Sequence, residues 1–455
     1  MSKVSFTSLG CPRNLVDTEV MLGMLLQAGF EITDQLEEAD YLVVNTCGFL
    51  EASRQESKDV IEELLSIKKK EAKVIVTGCM VSKHKEEVQK YFPGIHFLLG
   101  SGDVEGILEA VTADRKGEIL GTAKSYLEQG EIPRKLSTPK HYAYLKISEG
   151  CRKGCAYCII PKIKGPLQSK TEDRVVKEFK ILLKQGVKEV ILIAQDLGDY
   201  GKDQGALNGK LANLLRQLLE IPGDYWLRLL YLYPDEITDE LLEVILSDRR
   251  VCPYLDMPIQ HVNDGVLKRM RRKTSGAQIK EIIQKLRQTI PEITIRTSLI
   301  VGFPGETERE FDELCEFIQH YPLDQVGIFK YSQEKGSVAA KMEGQVPKKI
   351  KEQRFKILAA LQQEVLSTYN RRWLGKILPV VIEGYHPETN LLMVGRHSGQ
   401  CPDIDSQVIL NHHAPVTSFG ERYLVKITDL AGYDLIGEVL SSQRNSLKSL
   451  SVINS

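Results

Sequence analysis

The sequence predicts an α/β protein in three parts, and three observations carry that reading. Apolar β-type runs alternate with helical stretches through residues 1–120 and again, in six strand–helix units, through residues 137–370, which is the pattern of parallel sheet. Cysteines stand just past the first three predicted strands, at positions 11, 47 and 79. Residues 371–440 hold short strand-like runs parted by turns rich in Gly, Pro and His, which fits a small antiparallel five-stranded β-barrel. The Ser-rich tail 441–455 is expected to be disordered.

Composition bounds the function. A chain of 455 residues suits about three domains at roughly 150 residues each. A hydrophobic share of 42% and a charged share of 27% are ordinary for a soluble globular protein. The formal net charge of -1 gives no general electrostatic footprint for nucleic acid. The opening residues Met1–Ser5 carry no apolar signal-peptide core, and no apolar run is long enough to span a bilayer. The expectation is a cytoplasmic, membrane-free monomer, in which the nine cysteines point to metal or catalysis rather than to disulfides.

In the first part, strands are predicted at 3–8, 41–45, 73–77 and 95–99, with helices at 15–28, 52–70 and 83–91. Parallel strands share one carboxyl edge, and ligands bind there. Cys11 in SLGCPRN, Cys47 in VVNTCGF and Cys79 in VIVTGCM are therefore expected to meet at that edge. A charged linker over 120–137 follows, containing Gly130 and Pro133.

The stretch 148–161, SEGCRKGCAYCIIP, places Cys151, Cys155 and Cys158 in a C-x3-C-x2-C spacing. Three soft thiolates this close can surround one metal centre, and Gly150 and Gly154 leave the backbone free to curl. Three ligands are too few for a closed structural site, so an iron–sulfur cluster with one open iron is expected. Spacing alone leaves a zinc site completed by a distant Cys or His as the alternative.

With Tyr157 just before its last cysteine, this motif resembles the cluster loop of radical S-adenosylmethionine (SAM) enzymes. The three strand-end cysteines, together with Asn14 and Asp17 in GCPRNLVDTE, Asn45 and Thr46 before Cys47, and Thr77 and Gly78 before Cys79, resemble the N-terminal domain of the methylthiotransferase branch. QD and YG in QDLGDYG, DMPIQH, VGFPGE and FKYSQEKGSVAAKM resemble that branch too. The resemblance implies a partial (β/α)6 radical SAM barrel and a C-terminal TRAM barrel. It implies two 4Fe–4S clusters, one at Cys151, Cys155 and Cys158 and a second at Cys11, Cys47 and Cys79. It further implies SAM held near Gln195, near Tyr157 through its backbone, and near Asp256 at the ribose, with reduction by a flavodoxin or ferredoxin-type donor. Where relatives show Arg, this chain has Lys164 and Lys170, which cannot make a bidentate fork.

The central strands are expected at 142–147, 189–194, 226–232, 254–257, 294–300 and 325–329, with helices at 175–185, 210–220, 277–289 and 308–320. Their carboxyl ends carry Gln195, Asp196, Tyr231, Tyr233, Asp235 and Asp256, where barrels of this type gather their chemistry. Arg296 and His261 are read as structural, Cys252 and Cys315 as core. The amphipathic stretch 348–372, with Lys348, Lys349, Lys351 and Arg354, is read as a helix with a solvated basic face.

The last domain is expected to have strands at 377–382, 391–394, 407–410, 423–428 and 437–440. It has six Lys and Arg against eight Asp and Glu, a balance of -2. That makes a poor RNA clamp and a better partner for a basic protein, with Asp403, Asp405 and Asp429 as docking charges. SLGCPRNLVDTE and CPDID (401–405) resemble the branch that adds a methylthio group to the β-carbon of an aspartate in the twelfth protein of the small ribosomal subunit. A tRNA methylthiotransferase acting on an adenosine beside the anticodon is the alternative. A non-catalytic, metal-holding RNA-binding module is the alternative of another class.

Overall fold

The computed structural model describes residues 1–121, 125–128, 133–206, 209–413 and 415–442. In its first part, β1 (Lys3–Ser8), β2 (Glu31–Ile32), β3 (Tyr41–Thr46), β4 (Lys73–Gly78), β5 (Phe97–Gly100) and β6 (Gly117–Ile119) form one parallel sheet. Its order is β2-β1-β3-β4-β5-β6. Val74, Ile75 and Val76 are all fully buried because helices cover both faces. The helix Pro12–Gln27 packs on one face through Val20, Met21 and Leu25. The helices Glu51–Ile67 and Cys79–Tyr91 pack on the other through Ile61, Leu64 and Val88. The direction of winding therefore reverses between β1 and β3, the place where open sheets of this kind leave a crevice. The edge strands β2 and β6 were not in the sequence reading; at two and three residues they carry no periodic signal.

The second part contains β7 (Tyr142–Lys146), the short antiparallel pair β8 (Ser148–Glu149) and β9 (Gln168–Ser169), then β10 (Glu189–Ile193), β11 (Trp226–Leu229), β12 (Val251–Asp256), β13 (Thr294–Val301) and β14 (Gln325–Lys330). Six of these form an open parallel sheet in the order β14-β13-β12-β11-β10-β7, a partial barrel. Alternate side chains explain the curvature. Leu145, Val190, Leu192, Leu227, Leu255 and Ile295 face the outer helices. Tyr142, Tyr144, Ile191, Trp226, Cys252 and Tyr254 fill the inside. The expected strand over 226–232 stops at Leu229, and the chain turns through Tyr231, a non-glycine residue at φ 65°. The helix Asp239–Ser247 was missed, although Thr238 caps it by accepting from the Leu241 N–H at 3.2 Å.

The third part is a closed barrel of β15 (Ile377–His386), β16 (Thr389–His397), β17 (Val408–His412), β18 (Arg422–Ala431) and β19 (Asp434–Ser442). Four of its pairings are antiparallel as expected, and β17 with β19 is parallel. Ser441 and Ser442, expected in the disordered tail, belong to β19, and residues 443–455 lie outside the described residues. No described helix is long and apolar enough to cross a membrane.

Two connections differ from the sequence reading. The described part of the expected linker is strapped to the first helix: Lys135 donates to the Glu19 carbonyl at 3.0 Å, and Arg134 pairs with the Glu19 carboxylate at 2.6 Å. A Cβ on Gly23 would lie 2.4 Å from the Pro133 carbonyl. The stretch with Gly130 is outside the described residues. In the helix Lys348–Tyr369, Lys348 and Lys349 are exposed, but Arg354 is buried and bonds Glu306 at 2.9 Å. A basic residue on an amphipathic helix need not face water when a carboxylate waits beneath it.

The largest correction concerns residues 396–406. This segment plugs the inside of the partial barrel. Cys401 has no exposed surface and packs among Tyr142, Tyr144, Trp226 and Tyr254. Arg396 pairs with Glu189 at 2.9 Å, and Arg228 donates to the Ser398 carbonyl at 2.8 Å. The Asp403 carboxylate accepts from the Tyr142 hydroxyl at 3.0 Å. Asp405 accepts from the Tyr254 hydroxyl at 2.8 Å and from Arg296 at 3.1 Å. The Asp405 side chain is fully buried and is no free docking charge; Asp403 is exposed but bonded to Tyr142, and Asp429 is exposed. Replacing Asp405 by Ala should cost about 3 kcal/mol or more, because it strips a buried partner from Arg296 and Tyr254. An unchanged urea-unfolding curve would remove the plug from the stability of the barrel.

Candidate active site

Each strand-end cysteine is placed by its own turn. Gly10 adopts φ 91°, and a Cβ there would lie 2.9 Å from the Cys47 Cβ, so the chain can pass only as glycine. Cys11 then caps the helix Pro12–Gln27, whose Pro12 fits the first turn. Gly78, at φ 101°, does the same service before Cys79, where a Cβ would lie 2.4 Å from the Asn45 side chain. Two asparagines tie the loops together. Asn14 donates to the Thr46 carbonyl at 3.0 Å, and Asn45 donates to the Asn14 carbonyl at 2.8 Å. The Cys79 thiol reaches the Asn14 side-chain oxygen at 3.6 Å. Cys11 and Cys47 thus sit at the winding reversal between β1 and β3, with Cys79 one strand over. Burial alone would raise the Cys11 thiol, but the Arg13 charge and the Asn14 N–H hold it below its ordinary value. Burial pushes the Cys79 thiol up to about 12.

The second trio lies on one loop. Gly150 adopts φ 80°, and a Cβ there would meet the Pro166 carbonyl at 1.9 Å. Gly154 faces open space, so its expected role in the curl is not required. Backbone N–H groups of Lys153 and Ile160 point at the Cys151 and Cys158 sulfurs, each at 3.4 Å. The Tyr233 hydroxyl stands 3.1 Å from the Cys155 sulfur.

The donor sets suit a cluster better than a single ion. A tetrahedral zinc site, with Zn–S near 2.3 Å, needs sulfurs about 3.8 Å apart. Among the described residues neither trio brings its three sulfurs within 4.8 Å of one another. The group that does meet that limit is Asp196, Asp199 and Glu236, and it is filled by the Lys153 ammonium, 3.0 Å from Asp196 and 2.7 Å from Glu236.

A cavity of about 290 Å³ opens between the first and second parts. Cys151, Cys158, Tyr157 and Gln195 line it, as do Arg13 and Phe49 from the first part. It lies at the carboxyl ends of the barrel strands, with Ser298 and Ile300 of β13 in its wall. Two further wall residues, Tyr231 and Gln260, hold φ 65° and φ 71°. Left-handed backbone at non-glycine residues persists only where the surroundings enforce it, and it concentrates at functional sites.

Gln195 donates to Glu149 through its nitrogen, while its buried oxygen has no partner among the described residues. Such an orphan acceptor suits a ligand's donor group. Asp256 stands elsewhere. It has no exposed surface, it does not line this cavity, and its oxygens accept from Arg296 at 2.9 Å and from the Tyr231 N–H at 3.2 Å. Its visible work is to hold Tyr231 in its turn. Arg296, read as structural, joins Asp256 to Asp405. His261 is buried, accepts from the Asn263 N–H at 3.0 Å and is pushed down to about 3 by burial, so it stays neutral.

Three features were not singled out from sequence. Arg13 donates to the Ala194 carbonyl at 2.7 Å and lies 4.6 Å from the Tyr231 ring centre. A buried ion network joins Asp17 of the first part to Lys146, Glu149 and Lys164 of the second. Lys164 stands 3.4 Å from both Asp17 and Glu149, a point charge between two carboxylates rather than a fork on one. Lys170 pairs with Glu178. The third is Arg272, stacked 3.9 Å from the Tyr233 ring centre behind Cys155.

Comparison with known proteins places these features. Residues 3–100 match the uncharacterized protein family UPF0004, residues 145–318 the radical SAM superfamily and residues 374–440 the TRAM domain. The chain is 64% identical to the ribosomal protein uS12 methylthiotransferase RimO of Protochlamydia amoebophila (strain UWE25), covering 96% of this chain and 93% of that protein. It is 57% identical to the protein of the same name from Chlamydia caviae, over 96% and 95%. With that of Syntrophotalea carbinolica it shares 44%, over 96% and 97%. Among solved structures, the radical S-adenosylmethionine methyltransferase TsrM from Kitasatospora setae shares the fold, with a TM-score of 0.53 at 17% identity, over 72% of this chain and 75% of that one. Identity of this extent over nearly the whole length, together with the match to the radical SAM superfamily, means that the chain belongs to the uS12 methylthiotransferase family of radical SAM enzymes.

Proposed function

We propose that this chain adds a methylthio group to the β-carbon of an aspartate in ribosomal protein uS12, working in the cytoplasm as a monomer. The observation that carries the reading is the cavity itself, walled on one side by Cys151 and Cys158 and on the other by Arg13, next to Cys11. Two 4Fe–4S clusters fit the residues present: one at Cys151, Cys155 and Cys158, one at Cys11, Cys47 and Cys79. When bound there with SAM, and reduced by a flavodoxin or ferredoxin-type donor, they supply the radical and the sulfur that an unactivated C–H bond demands.

The chain's own residues do the rest. Gln195 offers its unpaired oxygen to the amino group of SAM, and Tyr157 borders the same space. Asp256 and Arg296 keep Tyr231 in the wall. Arg13 is the cation suited to the substrate carboxylate: the other lysine or arginine lining the cavity, Lys330, is drawn to Glu352 at 2.6 Å. Phe49, Leu50 and Phe329 add apolar surface to its lining.

The test is a deletion strain, with mass spectrometry of both its ribosomal proteins and its tRNA nucleosides. A methylthio mass of about 46 Da should vanish from one aspartate of uS12, while methylthio-adenosine in tRNA stays intact. Loss of the tRNA modification with uS12 unchanged would replace this reading by the tRNA one.

A further inference from the structure

The cysteine loop separates two cavities. Cys151 and Cys158 face the one already described; Cys155 and Gly154 face a second, of about 310 Å³, and Tyr233 borders both. Six cations line the second: Arg152, Lys153, Lys202, Arg271, Arg272 and Lys273. Its carboxylates are Asp199, Asp235 and Glu236.

Those charges do not cancel evenly. Lys153 is committed to Asp196 at 3.0 Å and Glu236 at 2.7 Å. Lys202 is committed to Glu236 at 2.6 Å and Asp199 at 3.1 Å. Asp235 adds its charge 3.9 Å from Lys153. Arg272 is held by the Pro258 carbonyl at 2.6 Å and by the Tyr233 ring, and its buried Nη1 has no partner among the described residues. Arg152, Arg271 and Lys273 are exposed, and their side chains make no ion pair or hydrogen bond among the described residues. Arg271 is held at φ 58°, a strained conformation for an arginine, in the turn that follows the helix Asp264–Arg269. On a chain of net charge -1, this is a local surplus of positive charge around Cys155, a residue 8% exposed.

We propose that this basic wall is where an acidic one-electron carrier protein docks, delivering its electron through the Cys155 side of the loop. The inference rests on the reading that Cys151, Cys155 and Cys158 hold a reducible cluster. In the step, one electron leaves the reduced carrier, which is oxidised by one electron, and enters the cluster, which is reduced by one; no bond forms or breaks. Docking here leaves the first cavity free for SAM and substrate, so the electron can arrive with both in place. Three free cations around a hollow suit a small acidic protein surface. They make a poor track for nucleic acid, which needs one cation for each phosphate along a groove. Encounters of redox partners are small and weak, so this one should be sensitive to salt.

The test uses the reconstituted holoenzyme and a bacterial flavodoxin as probe. Calorimetry measures flavodoxin binding at low and high salt. 5′-Deoxyadenosine formation is measured with reduced flavodoxin and, separately, with dithionite. In the triple variant Arg152→Glu, Arg271→Glu, Lys273→Glu, flavodoxin Kd should rise about tenfold or more, and the flavodoxin-driven rate should fall in step. The dithionite-driven rate should stay within about twofold, since a small reductant needs no docking surface. An unchanged Kd, or flavodoxin binding indifferent to salt, overturns the proposal. So does an oligonucleotide that loses its binding in the variant while flavodoxin keeps its own. If iron content drops in the triple variant, the loop has been damaged, and Lys273→Glu alone decides: an unchanged Kd sinks the proposal. If the unaltered protein cleaves no SAM with either reductant, the cluster reading fails, while the calorimetry still judges the surface.

Discussion

Replacing Cys151, Cys155 and Cys158 together by Ala should halve the iron of the anaerobically reconstituted protein, from about eight atoms per chain to about four. It should also reduce 5′-deoxyadenosine formation to the level of protein without iron. The loop, 148–161, holds no fourth cysteine and no histidine. The N–H groups of Lys153 and Ile160 are aimed at two of these sulfurs, and the Tyr233 hydroxyl at the third, so the polar surroundings are built for thiolates and lose their target together. The fold should survive, because Gly150 and the hydrogen bond from the Cys151 N–H to the Gly165 carbonyl at 3.2 Å set the loop without the side chains. A triple variant that kept its full iron load would remove the assignment.

Replacing Cys11, Cys47 and Cys79 by Ala should separate the two roles. 5′-Deoxyadenosine should still form, since Gln195, Tyr157 and the loop lie on the barrel. Methylthiolated uS12 should fall below detection by mass spectrometry, and iron should again drop to about four atoms. The geometry gives the reason. Cys11 neighbours Arg13, Arg13 walls the cavity, and the first part contributes little else to that wall beyond Phe49 and Leu50. Product formed at the unaltered rate would take the first trio out of the chemistry.

Both trios were legible in the sequence, for different physical reasons. Cys151, Cys155 and Cys158 are local: eight residues of chain can bring three thiols together whatever the rest does. Cys11, Cys47 and Cys79 are distant in sequence, but parallel strands deliver their carboxyl ends to one edge, so strand alternation alone predicted the meeting. Asp405 shows where such reasoning stops. A charge count treats every carboxylate as surface. Nothing in CPDID reveals that Tyr142, Tyr144, Tyr254 and Arg296 wait for it more than a hundred positions earlier. Arg354 went the same way, since helical periodicity shows a face but not the Glu306 beneath it. Tyr231 was noted as a strand-end residue; its left-handed turn, held by Asp256, has no signal in composition or spacing.

The plug at residues 396–406 bears on the order in which the molecule is made. Synthesis runs from the first residue to the last, at about 5–20 residues per second. After Lys330 emerges, the barrel strands are complete, yet the carboxylates that close their interior are still unmade for some seconds, on the order of ten at the slow end of that range. During that interval the tyrosine hydroxyls of β7 and β12 and the Arg296 guanidinium lack the partners that later satisfy them. Tyr231 is held by Asp256, Asp256 by Arg296, and Arg296 by Asp405, so one wall of the cavity is linked to a residue made late in synthesis. The inside of the barrel thus depends for its hydrogen-bond partners on residues in the final fifth of the chain.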